Sequence, residues 1–75
     1  MTLEEFVQNF AEQFDETPIE LFAPSTEFKE LEEWGSLTAL SVITMVKMEM
    51  GKRITGANLK NCKTIEDLYN LTATL

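Results

Sequence analysis

The sequence predicts an all-α fold, a four-helix bundle with a long loop between the first two helices and a short third helix. Three observations predict it. Apolar residues recur every three to four positions in separate segments, which is the period of an amphipathic helix. No segment shows the apolar–polar alternation of a half-buried strand. The length, 75 residues, suits one small core, so we expect a single domain over residues 1–75.

The first helix is predicted over residues 2–14. Thr2 with Glu5 three positions later matches a capping box, in which each side chain accepts a hydrogen bond from the other residue's amide. The apolar stripe consists of Leu3, Phe6, Val7, Phe10, Ala11 and Phe14.

Residues 15–35 are predicted to be a loop, because Pro18 and Pro24 disfavour a continuous helix. A loop of this length in a small domain is often functional. We expect its apolar residues to pack on the core: Ile19, Leu21, Phe22, Phe28, Leu31 and Trp34.

The second helix is predicted over residues 37–50, with Ser36 as its N-cap and Gly51 as its stop signal. Its expected core face consists of Ala39, Leu40, Val42, Ile43, Val46 and Met50. Leu37, Met45 and Met48 fall outside that arc, so the helix is also partly apolar on its outer side.

Two further helices are predicted near the C-terminus. A short helix or turn covers about residues 55–60, with Leu59 inward. The last helix covers residues 64–74, with Thr64 as cap and Asp67 three positions later.

Composition argues against several function classes. The net charge of −7 disfavours nucleic acid, whose phosphates bind Lys and Arg. The chain has no histidine, the usual general base and commonest metal ligand. The single cysteine, Cys62, forms no internal disulfide or cysteine metal site and suits a reducing cytoplasm. We expect no secretory leader, no membrane span and a monomer.

The charge is unevenly distributed along the chain. Ten acidic residues and one basic residue fall within residues 1–35, a net of −9, whereas residues 36–75 carry three acids and five bases, a net of +2. This pattern is typical of a solvated surface, or of two halves that face different partners.

Ser36 is the candidate functional residue. A serine at the start of a helix commonly serves as an ordinary cap. The same position favours an anion, because the first-turn amides and the helix dipole are positive there. Gly35 lets another protein approach the hydroxyl closely, and the flanking apolar residues offer it an adaptable surface.

Residues 26–37, which end in Trp34-Gly35-Ser36-Leu37, resemble the start of the second helix of acyl carrier proteins. In that family the serine of an Asp-Ser-Leu motif carries 4′-phosphopantetheine. The resemblance continues through Gly51 and Ile54 and ends with residues 64–68, which are similar to the start of the family's last helix. It therefore covers nearly the whole chain.

The resemblance implies a carrier that is not itself an enzyme. A phosphopantetheinyl transferase would attach the arm to Ser36, and the arm would present acyl groups, held as thioesters, to loading and transferring enzymes. In this family the acyl chain can lie between helices. The candidates for lining that site are Val46, Ile54, Ala57, Leu59, Ile65 and Leu68; plain core packing is the other interpretation of these residues.

Three departures from the family shape the partner hypothesis. Gly35 occupies the position of the family's aspartate, the second helix has few acids, and the acids lie in the first helix and loop. We therefore expect a specialised pathway, such as natural-product, polysaccharide or amino-acid-modifying synthesis. The expected partner surface is Gly35, Leu37, Thr38, Ser41, Met45 and Met48, with Glu32 and Glu33 at its edge. The alternative is an unmodified carrier-fold module that only docks to other proteins.

Overall fold

The computed structural model describes all of residues 1–75 and contains no strand. The four α-helices are α1 (Leu3–Ala11), α2 (Ser36–Met50), α3 (Gly56–Asn61) and α4 (Ile65–Ala73). Helix α1 packs against α4 and α2, and α2 also packs against α3. The predicted four-helix fold, with its long first loop and short third helix, is thus confirmed. No helix has the length and apolar character needed to cross a membrane.

Three helices begin with the same reciprocal cap. In each, a threonine hydroxyl accepts from the amide three residues on, and that residue's side chain accepts from the threonine amide. The pairs are Thr2 with Glu5, Thr55 with Asn58 and Thr64 with Asp67. The first and last confirm the predictions, while the cap of α3 uses an amide in place of the more usual acid. At the other end of α2, Gly51 adopts a left-handed conformation, φ 66°, and terminates the helix as predicted.

One aromatic cluster organises the core. The Phe10 ring on α1 is fully buried and neighbours the rings of five other aromatic residues: Phe6, Phe14, Phe22, Phe28 and Trp34. Phe28 and Trp34 belong to the long loop, so the loop contributes directly to the core. Aromatic side chains bury large apolar areas, which suits a chain this short.

The long loop contains two single-turn 3₁₀ helices, Ile19–Leu21 and Phe28–Glu30. Phe28 is fully buried, but Ile19 and Leu21 are exposed, so the prediction that these two pack on the core is wrong. The first turn lies on the surface, and its cap residue Phe22 is the one whose side chain joins the aromatic cluster.

The loop also holds the start of α4. The Thr26 carbonyl accepts from the Ile65 amide at 3.1 Å, and the Pro24 carbonyl accepts from the Glu66 amide at 2.9 Å. The first amides of a helix have no partner within it, and here two loop carbonyls accept hydrogen bonds from them. These two hydrogen bonds join the long loop to α4, which the sequence pattern does not predict.

The core face of α2 differs from the prediction. Its buried residues are Thr38, Val42, Met45 and Val46, whereas Leu40 is 60% exposed. Apolar residues occur on nearly every side of this helix, so their period alone does not set its rotation. The rotation turns Met45 inward and Leu40 outward.

Candidate functional site

Ser36 is exposed and is the first residue of α2. Its predicted role as N-cap is wrong, because the cap position belongs to Gly35 and no side chain caps the first turn. The first backbone bond of the helix runs from the Ala39 amide to the Gly35 carbonyl, at 2.9 Å. The Ser36 hydroxyl therefore lies at the positive end of α2 without a capping role.

The surroundings of Ser36 have room for an attached group. A Cβ atom built on Gly35 meets nothing within 4 Å. The Gly35 backbone is extended, with φ −174° and ψ −170°, so the position does not require glycine for conformational reasons. An anion on the Ser36 oxygen would lie beside first-turn amides that no side chain occupies. The residues present thus fit a phosphodiester.

Glu33, three residues before Ser36, joins the two ends of the long loop. One carboxylate oxygen accepts from the Asp15 amide at 2.7 Å. The other accepts from the amides of Glu16 and Thr17, both at 3.0 Å, and from the Thr17 hydroxyl at 2.7 Å. The Thr17 hydroxyl, followed by these backbone amides, lowers the pKa of Glu33 below the ordinary glutamate value. Glu33 is therefore a structural anion, and Glu32 beside it is exposed.

Glu33 and Trp34 also anchor the start of α2. The Thr38 hydroxyl donates to the Glu33 carbonyl at 2.9 Å, which explains why a threonine is buried on this helix. The Trp34 ring lies 4.9 Å from Phe28, edge-on, and stacks nearly parallel to Phe10 at 6.4 Å between ring centroids. The segment that leads into Ser36 is thus fixed by both polar and apolar contacts.

Three large apolar side chains are exposed on the outer side of α2. Leu37 is 82% and Met48 is 75% exposed, and with the exposed Leu40 they form what we call the α2 surface. Ser41 is half-buried and lines the groove between α1 and α2, while Gly35 is exposed. Thr38 and Met45 of the predicted partner surface are buried, so the expectation that they lie on the outer side is wrong. The cause is the rotation of α2 described above. The binding of partners by the other residues stays a prediction.

Five of the six candidates for an acyl-lining site belong to one buried cluster: Val46, Ile54, Leu59, Ile65 and Leu68. Ala57 is exposed on α3, so the structure does not bring it together with the other five. The cluster is continuous with the core, and its role in holding an acyl chain stays a prediction.

Cys62 is buried in the same cluster. Burial, followed by the nearby Asp67 carboxylate, raises the pKa of its thiol. A thiol with a raised pKa is a poor nucleophile at neutral pH, so Cys62 acts as a small packing residue.

Comparison with known protein families gives a match over most of the chain. The family model described as "Phosphopantetheine attachment site" matches residues 4–72 of the chain. No curated protein and no solved structure matches this chain. The matched range includes Ser36 and all four helices except the first residue of α1 and the last residue of α4.

Proposed function

The chain belongs to the acyl carrier protein family, whose model covers residues 4–72 and whose members carry covalently attached 4′-phosphopantetheine, and from that premise we propose that Ser36 is the attachment residue. The observation that carries the proposal is the placement of the three serines. Ser36 alone is both exposed and in the first turn of an α-helix, whereas Ser25 lies in the loop and Ser41 is half-buried inside α2.

The attachment reaction requires a separate transferase. The Ser36 oxygen forms a bond to the phosphorus of the coenzyme A pyrophosphate that bears pantetheine. The bond from that phosphorus to the bridging oxygen breaks, and adenosine 3′,5′-bisphosphate leaves. The hydroxyl proton passes to a base of the transferase. The attached group supplies a flexible arm ending in a thiol, on which acyl groups are held as thioesters.

The chain's own residues position and present the cargo and do not catalyse its reactions. The first turn of α2 favours the phosphodiester charge, and tethering raises the effective concentration of the cargo at each partner. We further propose that the protein works as a monomer in the cytoplasm.

The α2 surface supports a specialised partner set. Leu37, Leu40 and Met48 are exposed, and Glu49 is the only acid on this helix. Enzymes that read a carrier through complementary charge lose that attraction here. We therefore propose partners in natural-product, polysaccharide or similar synthesis, which contact α2 mainly through apolar side chains.

Mass spectrometry tests the attachment. After incubation with coenzyme A and a permissive transferase, we expect the chain to gain the mass of one phosphopantetheinyl group. Ser36→Ala should abolish the gain, and Ser25→Ala, which removes another exposed serine, should retain it. A gain that persists in Ser36→Ala means that the site is wrong. No gain with several transferases favours the alternative, an unmodified docking module.

A charge-restoration experiment tests the partner proposal. A ketosynthase of fatty-acid synthesis should use the loaded carrier poorly, and the double substitution Ser41→Glu with Lys47→Glu should improve that use. Exchanging two exposed residues of α3 for acids, Ala57→Glu and Lys60→Glu, is the control for net charge alone. Equal use by the ketosynthase of all three chains would show that charge on α2 does not select partners.

A further inference from the structure

We propose that Glu33 is a positioning residue for Ser36, which holds the start of α2 in the place from which the hydroxyl is presented to the transferase. The inference rests on the proposed role of Ser36. Glu33 then has a function other than the one expected from the sequence, in which it lies at the edge of a partner surface.

The contacts of the carboxylate close the long loop. Its two oxygens accept four hydrogen bonds, at 2.7 to 3.0 Å, from residues 15–17. These donors lie 16 to 18 positions earlier in the chain, just after α1. Between these donors and Glu33, the loop contains only the two single-turn 3₁₀ helices. Glu33 therefore ties the segment that follows α1 to the segment that precedes α2.

The same residue is joined to α2 beyond Ser36. The Glu33 carbonyl accepts from the Thr38 hydroxyl at 2.9 Å, so residues 33 and 38 bracket Ser36. Gly35 has no side chain, and its Cβ position has no neighbour within 4 Å, so packing at that residue cannot hold Ser36. The anchors on either side of Gly35 and Ser36 then determine where the hydroxyl lies.

Only a carboxylate satisfies this set of donors. All four groups that contact the Glu33 carboxylate donate, and an ionised carboxylate only accepts hydrogen bonds. In Glu33→Gln, one oxygen is replaced by an amide group that donates, so at least one backbone amide would face another donor. The substitution keeps the size of the side chain and removes part of the contact set.

The first test is the kinetics of phosphopantetheine transfer to the apo chain at a temperature where each variant is folded. We expect Glu33→Gln to lower kcat/KM by about tenfold to a hundredfold, mainly through kcat, because small misplacements of a reacting atom have effects of this size. KM should change little, since the α2 surface is unaltered. Glu20→Gln is the matched control, because this acid of the same loop is exposed and lies outside the expected partner surface, and it should behave like wild type.

A second variant separates positioning from a loss of folding. Thr17→Val retains the carboxylate and removes one of its four donors, so it should give a smaller loss of kcat in a chain that remains folded. Wild-type kcat in both Glu33→Gln and Thr17→Val would overturn the proposal, even if both variants were less stable.

A measurement without any transferase keeps this inference separate from the proposed function. NMR order parameters of the apo chain should fall at residues 34–37 in Glu33→Gln and remain unchanged in α4 and in Glu20→Gln. Unchanged order at Ser36 would overturn the positioning role whether or not Ser36 is ever modified. Failure of modification in wild type, with reduced order in Glu33→Gln, would instead count against the attachment proposal alone.

Discussion

Replacing Gly35 by aspartate should stabilise the protein, because the cap of α2 has no side chain. A Cβ at this position enters open space, and the backbone is already extended. The aspartate carboxylate could accept a hydrogen bond from a first-turn amide. Relative to glycine, such a cap stabilises the helix by about a few tenths of a kcal/mol. Its charge at the helix start contributes about 0.3–1 kcal/mol.

A further contribution comes from the unfolded chain. Replacing glycine where the new residue fits without strain removes unfolded conformations, which is worth about 0.4–1 kcal/mol. Repulsion from Glu32 and Glu33, in a chain of net charge −7, offsets part of the gain. We therefore expect a net stabilisation of about 1 kcal/mol, or a rise in Tm of about 4–8 °C.

Thermal and urea unfolding, followed by circular dichroism, measure this change, and two variants divide its causes. Gly35→Asn keeps the capping oxygen without the charge and should give about half of the gain. Gly35→Ala keeps the entropy contribution, but alanine is less favourable than glycine at an N-cap, so this variant should lie close to wild type. The reasoning is refuted if Gly35→Asp is no more stable than Gly35→Ala.

The remaining predictions concern α2 and the ionised carboxylates. Met45→Ala should destabilise the protein by about 2–5 kcal/mol, because Met45 is buried. Met48→Ala should change the stability by no more than about 0.5 kcal/mol and should instead weaken use by partner enzymes. Equal losses of stability for both variants in urea unfolding would contradict the rotation of α2. Gly51→Ala should cost about 1–2 kcal/mol, because its positive φ disfavours a side chain, and unchanged stability in urea would contradict this. Three carboxylates have a pKa lowered by hydrogen bonds: Glu5, Glu33 and Asp67. Because each pKa is lower in the folded state, protonation favours unfolding, so the stability should be constant at neutral pH and fall as the pH drops below about 4. Urea unfolding at a series of pH values measures this dependence. Constant stability down to pH 2 would show that these hydrogen bonds do not contribute.

Local signals in the sequence predicted most of the fold. The threonine caps of α1 and α4 and the stop at Gly51 depend on residues within four positions of one another, so they can be read without the rest of the chain. The cap at Thr55 could have been found in the same way, since Asn58 stands three residues later. The cap of α2 was misassigned by one residue, because a serine beside a glycine is the more familiar cap.

Contacts between distant residues could not be predicted in this way. No local pattern distinguishes Glu33 from Glu32, yet one accepts four hydrogen bonds and the other is exposed. The burial of Met45 and the exposure of Leu40 could not be predicted either, because a helix that is apolar on most sides can be buried on any of them.

By itself, the sequence determined the helical fold, the long loop and the family to which the chain belongs. These depend on periodicity, capping and an ordered set of motifs, all of which are properties of neighbouring residues. The tertiary structure decided which side of α2 is buried, what surface remains for partners, and how the segment before Ser36 is held. Those features arise from packing and hydrogen bonds between different segments, such as the bonds from residues 15–17 to Glu33, whose geometry exists only once the chain is folded.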